Sequence, residues 1–142
     1  MEVAEMKVAA HHLFEESNKG KAACLAALDE LYATDIVYHA GTGQEIHGLM
    51  NYKQSFSNLY EAFSDLHFTI DDMVVEGDKG AIRWTMTGTQ KGIYRGIPPT
   101  HKKITIWFIT IDRLVDGKIV EEWERFDTLG MMQQLGVIPK PP

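Results

Sequence analysis

KKITIWFITIDRLVDGKIVEEWERF, residues 102–126, contains two β-patterned runs joined by VDGK. An Asp-Gly pair is a hairpin signal because both residues tolerate positive φ, and the runs on either side are rich in β-branched and aromatic residues. The spacing predicts the longest paired strands of the chain. Within it ITIWFITI, residues 104–111, is apolar on both faces. It is far too short for the ~20 residues that span a bilayer. One face is expected to line the interior, and the other would be a bare apolar patch of the kind that pairs copies of a chain into a homodimer or tetramer through the sheet.

Upstream the pattern repeats: HFTIDDMVV (67–75), the turn EGDKG and AIRWTMTGT (81–89) read as a second hairpin, and KGIYRGIPPT (91–100) is broken by Gly96, Pro98 and Pro99. The N-terminal half is helical. Val3, Met6, Ala10, Leu13 and Phe14 recur at helical spacing up to SNKG. Leu25, Leu28, Leu31 and Tyr32 mark a second helix before the short strand TDIVYH, which ends at His39 and turns at AGTG. Tyr52, Phe56, Leu59, Tyr60 and Phe63 fit one face of a third helix over residues 47–63, and TLGMMQQLG is a short closing helix. Helices first and hairpins afterwards predict an α+β fold: three N-terminal helices packed on one face of a strongly curved antiparallel sheet, which leaves a hollow. One domain over residues 1–138 and a loose tail at 139–142 are expected.

Composition narrows the partners. Of 142 residues, 44% are apolar and 24% charged, as in ordinary globular chains. A formal charge of −6 with no Lys/Arg block offers nothing for phosphates, so no nucleic acid partner is expected. Glu2, Glu5 and Lys7 interrupt any apolar signal-peptide core, and with no membrane segment the expected location is cytoplasmic. The one cysteine, Cys24 in AACLAAL, reads as a small core residue. The histidines His11, His12, His39, His47, His67 and His101 form no HxxxH or HExxH, so no metal is expected. Phosphate-cradling glycine motifs and a GxSxG elbow are missing as well.

Acid–base chemistry remains, with His39 at a strand end, Arg83 within a strand and Asp127 where the last strand meets the last helix as its candidates. Each has a plainer reading. Asp127 is a good helix N-cap, although the reciprocal Glu or Gln three residues on is replaced by Gly130. Period-two counting puts it on one face with Ile119 and Trp123. His39 would otherwise support the AGTG turn, and Arg83 would lie on a solvated face. Tyr52, Phe56, Trp107, Phe108, Trp123 and Phe126 suit a core or a pocket for flat apolar ligands.

NKGK…LDELYATDIVYH, VVEGDKGAIRWTMTGTQKGIYRGIPPTHKKI and RLVDGKIVEEWERFDTLGMMQQLG together resemble the SnoaL-like polyketide cyclase (ester cyclase) family over nearly the whole chain. The GT-x-x-G…GIPPT segment and the E-x-W…D-x-x-G-x-x-x-Q-L-G ending carry it most specifically. The resemblance implies the cone fold of nuclear transport factor 2 and ketosteroid isomerase, and an intramolecular aldol cyclisation or related isomerisation of a small apolar carbonyl compound, polycyclic ones included. It implies no metal or organic cofactor, and a pocket aspartate, which on motif match falls on Asp127. His39 falls near the general base of the isomerase relatives. Many relatives have histidine where Gln90 and Thr110 stand here. With Trp123 and Phe108 as an apolar wall, the implied pocket takes in Tyr52, Phe56, Arg83, Gln90, Phe108, Thr110 and Trp123. Two alternatives stay open: a non-catalytic small-molecule binder, and an epoxide hydrolase-like enzyme using Arg83 and Asp127, for which the third carboxylate is missing.

Overall fold

Asp116 and Gly117 both stand at positive φ, 50° and 77°, in the tight turn that the Asp-Gly pair predicts. The runs they join pair antiparallel as β5 (Lys103–Val115) and β6 (Lys118–Phe126). This hairpin is the middle of a six-stranded sheet in a computed structural model that describes residues 3–142. Before it come α1 (Val3–Lys19), α2 (Lys21–Leu31), β1 (Tyr32–His39), β2 (Glu45–His47), α3 (Leu49–Ala62), β3 (Phe63–Glu76) and β4 (Lys79–Gln90). After it comes α4 (Thr128–Leu135). The strand order is β2-β1-β6-β5-β4-β3 in a curved, unclosed sheet, and the class is α+β.

One pairing departs from the antiparallel expectation. β1 runs parallel to β6, with Tyr38 beside Glu122 and His39 beside Trp123. A parallel return needs a long connection. Here β2, α3 and the β3–β5 strands supply it. Two boundaries also move: Tyr32 opens β1 instead of closing α2, and β3 begins at Phe63. The polar SDL segment is absorbed by a register irregularity between Ser64 and His67, with Asp65 at φ 50°.

Side-chain parity sets the interior. On β5 the even positions Ile104, Ile106, Phe108, Thr110, Asp112 and Leu114 are buried, whereas Trp107, Ile109 and Ile111 are exposed. β4 follows the same parity, burying Ile82, Trp84, Met86 and Gln90 and exposing Arg83. β6 does not keep it throughout. Leu114 pairs with Ile119 but Arg113 pairs with Glu121, so the strand carries a bulge at Val120. Ile119 and Glu122 therefore both face inward, Glu124 and Phe126 follow on that face, and Trp123 passes to the outside.

Two cores form on the concave face. Cys24, Leu28, Tyr32 and Ile36 pack at one end, and Phe63, Ile104, Ile106, Met131 and Leu135 at the other, where α4 closes over the sheet. The space between them is not filled by side chains. Residues 139–142 are exposed and belong to no element, and among the described residues no helix is long and apolar enough to cross a membrane.

Candidate active site

The unfilled space is a hollow of about 420 Å³ between α3, the inner face of the sheet and the loop after β4. Its walls are mainly aromatic. Trp84 and Phe108 stack at 4.0 Å with planes 5° apart, Phe108 meets Phe126 at 4.9 Å, and Tyr52 lies 5.1 Å from Tyr38 and 5.3 Å from Phe56. Such a surface fits a flat apolar body. Among the described residues Glu124 is the one carboxylate that lines it. Glu124 also lines a smaller inner chamber with Tyr32, Thr110, Asp112 and Glu122, so it stands between the two spaces.

Burial in this apolar wall disfavours the anion and pushes the Glu124 carboxyl up to about 7. The hydrogen bond donated by the Tyr38 hydroxyl works against the shift, the charge of Glu122 adds to it and that of Arg95 opposes it. A carboxyl poised near neutrality both takes and gives protons at little cost. Below it, the hydroxyls of Tyr32 (2.7 Å) and Tyr52 donate to Glu122. Asp112, the cross-strand partner of Glu122, is buried with one carboxyl oxygen unpaired. Burial first, and the Glu122 charge second, hold its proton affinity well above the usual carboxylate range. Tyr52 and Tyr32 are likewise held protonated by burial and by Glu122. The inner chamber thus holds two tyrosine hydroxyls that converge on Glu122, with the buried Asp112 beside it.

Of the positions expected to form the pocket, Tyr52, Phe56 and Phe108 line the hollow, and Thr110 lines the inner chamber, where its Oγ1 accepts from Trp84 Nε1 at 2.9 Å. Five others lie elsewhere. Asp127 caps α4: its Oδ1 accepts from Gly130 N at 2.8 Å, and it is exposed and outside the hollow. Gly130, which replaces the capping-box acid, is what lets the carboxylate fold in so closely, since a Cβ there would stand 2.1 Å from Asp127 Oδ2. His39 points to the convex face, where it stacks on Trp123 at 5.3 Å and bridges Glu121 (2.8 Å) and Glu45 (3.3 Å). Trp123 is outside because of the β6 bulge. Arg83 is exposed on the same face, 3.9 Å from Asp71, by the parity of β4.

Gln90 is fully buried but serves the loop instead of the hollow. Its Nε2 donates to the carbonyls of Gly92, Ile97 and Pro98 at 3.0–3.2 Å, and its Oε1 accepts from Thr100 N (3.2 Å) and Oγ1 (2.7 Å). That clamp fixes residues 91–100, and with them Ile93, Tyr94 and Arg95 at the mouth. Glu124, Tyr38, Tyr94 and Arg95 were not singled out by sequence reasoning. The signal that marks Glu124 is its cross-strand partner Thr110 on a strand whose even positions face in. Among the described residues no group of three or more His, Cys, Asp or Glu side chains could hold a metal ion.

Residues 5–135 match the family model of the SnoaL-like polyketide cyclases. AclR of Streptomyces galilaeus, a proposed hydroxylase, is 26% identical with a TM-score of 0.86 over 99% of this chain and 87% of its own. IdmH of Streptomyces antibioticus, a proposed polyketide cyclase, is 29% identical with a TM-score of 0.77 over 92% and 97%. A protein of ketosteroid isomerase-like fold from Catenulispora acidiphila, solved with trimethylamine, is 17% identical with a TM-score of 0.70 over 100% of both chains, a likeness of fold alone. No curated protein matches the chain. With the family model spanning nearly its whole length, the chain belongs to the SnoaL-like polyketide cyclase family.

Proposed function

We propose that the chain is a cofactor-independent acid–base enzyme that cyclises or isomerises a small, flat, apolar carbonyl compound, with Glu124 as its proton carrier. The observation that supports this most is a single carboxyl in an aromatic hollow with its proton affinity raised to about 7. In the aldol case ionised Glu124 removes a proton from a carbon flanked by two carbonyls. The electron pair left on that carbon forms the new C–C bond to a ketone carbon of the same molecule. The ketone oxygen, now an alkoxide, takes the proton back from Glu124, so no atom is gained or lost. One carboxyl serves both transfers because its pKa lies between those extremes of task. The Tyr38 hydroxyl, already donating to Glu124, is placed to steady the anion or to turn its proton toward the enolate oxygen.

The epoxide hydrolase-like alternative loses its Arg83–Asp127 pair, since the first is on the convex face and the second caps a helix. Enzyme and binder are separated by turnover of a 1,3-dicarbonyl substrate. Glu124→Gln should lower it ~10²–10⁴-fold while ring compounds still quench tryptophan fluorescence. Turnover unaffected by the substitution would overturn the proposal.

A further inference from the structure

The loop at the mouth contains a residue that the acid–base reading does not use. Tyr94 and Ile97 exchange both backbone hydrogen bonds, at 3.1 and 2.8 Å, closing a turn with Arg95 at φ 48° and Gly96 at φ 80°. A glycine or asparagine would occupy the first of these positions without strain. The turn therefore does not account for an arginine there. Its backbone is held by the loop that the buried Gln90 clamps, so the side chain is presented from a fixed base. Among the described residues Arg95 is the only lysine or arginine lining the hollow. Among the described residues no carboxylate lies within ion-pairing distance of it, and its ring neighbour is Tyr94, 5.4 Å from the guanidinium carbon.

The charge environment singles it out further. The other polar groups around the mouth, Gln44, Ser55 and Asn58, are neutral, and Glu124 lies deeper, at the border of the inner chamber. The guanidinium is nonetheless close enough to favour proton release from Glu124, Tyr38 and Tyr94. It lines the same hollow as Glu124, Tyr38 and Tyr94. A planar, forked donor without a counter-ion, set over an aromatic slot, matches a planar acceptor with two oxygens. The chain as a whole carries −6, so any preference for an anion must be local.

We propose that Arg95 is the anion-binding residue of the hollow, and that the ligand is a flat apolar ring compound bearing a planar two-oxygen anion, either a carboxylate or an enolised 1,3-dicarbonyl. The ring body occupies the aromatic slot and the two oxygens meet the guanidinium at the mouth. The inference deepens the acid–base reading and shares its hollow, but it concerns binding and stands or falls without turnover.

The test compares 2-naphthoate with 2-naphthamide, two bodies of one shape, by tryptophan quenching at pH 8. The wild type should prefer the carboxylate by about ten- to a hundredfold, the range of a charge-assisted hydrogen bond. Arg95→Gln should lose that preference while keeping its affinity for the amide, and Arg95→Lys should keep part of it. A second arm follows the enolate absorbance of 2-acetyl-1-tetralone. Titration to the enolate at lower pH with the wild type, and not with Arg95→Gln, assigns the two oxygens to a 1,3-dicarbonyl. A response to naphthoate alone assigns them to a free carboxylate. Glu124→Gln should lower turnover ~10²–10⁴-fold yet leave the naphthoate preference in place, which keeps the two proposals separable. Equal affinity of the wild type for acid and amide, or a preference that survives in Arg95→Gln, overturns the assignment.

Discussion

Glu124 should make the protein less stable as the pH rises, and Glu124→Gln should remove that dependence. The carboxyl titrates near 7 in the folded chain against an ordinary 4.5. Below 4.5 both folded and unfolded states hold the proton, and the fold has its full stability. Between 4.5 and 7 the unfolded chain releases the proton while the folded chain keeps it, so stability falls with rising pH, and above 7 the loss is complete. At ~1.4 kcal/mol per pH unit that gap corresponds to an upper figure of about 3 kcal/mol. Glu124 is half-buried, and screening by nearby water brings the expected loss to about 1–3 kcal/mol.

In Glu124→Gln the amide oxygen still accepts from Tyr38, and no ionisation remains. Urea unfolding at pH 5 and pH 8 should then show the variant close to wild type at the lower pH and more stable by about 1–3 kcal/mol at the higher. The subtraction removes most of what Asp112 contributes, since its upward shift comes first from burial and then from Glu122, and least from the charge of Glu124. Gained stability with lost turnover is what a group kept in an unfavourable place for its chemistry predicts. A difference between the two proteins that does not change from pH 5 to pH 8 would refute the raised carboxyl, and with it the argument for Glu124 as the proton carrier.

Asp127→Asn should leave stability and turnover unchanged, because asparagine caps α4 as well, whereas Asp127→Ala should cost ~0.5–2 kcal/mol by thermal melting; a fall in turnover for Asp127→Asn would place it back in the chemistry. Gln90→Leu should destabilise by about 1–3 kcal/mol for each loop group left unpaired and weaken ring-compound binding, since the mouth loses its clamp, and wild-type affinity in the variant would disprove that coupling. Trp107, 53% exposed, with Ile109 and Ile111 leaves an apolar stripe on the convex face, and we propose that two or more copies associate through it. Light scattering should give a dimer or larger at micromolar concentration and a smaller species for Trp107→Glu, a monomeric wild type being the contrary result.

The parts of this molecule that were legible in the chain are those set by local chemistry. The Asp116-Gly117 turn, the alternation of β5 and the helical spacing of Tyr52, Phe56 and Leu59 each follow from a few consecutive residues, and they carry the α+β class and the aromatic slot. The parallel β1–β6 pairing has no such local mark, because it joins segments separated by α3 and four strands. Gln90 is equally hidden. Its role exists only once residues 91–100 have folded back around it, and the family resemblance, which puts Gln90 in the pocket, has no means of showing that clamp.

The carboxylate was missed for a geometric reason. A period-two count carried past a bulge assigns every later side chain to the wrong face. Started at Ile119, the count selects Trp123 and Asp127; started from the cross-strand partners of β5, it gives Glu122 opposite Asp112, Glu124 opposite Thr110 and Phe126 opposite Phe108, all inward. Charge would have exposed the error. Acids at inward positions of a strand are tolerated only where donors meet them. Tyr32 and Tyr38, inward on β1, and Tyr52 on the buried face of α3 are those donors. Three tyrosines facing two glutamates are too many hydroxyls for an apolar core, and they mark that end of the hollow as the place where protons are held.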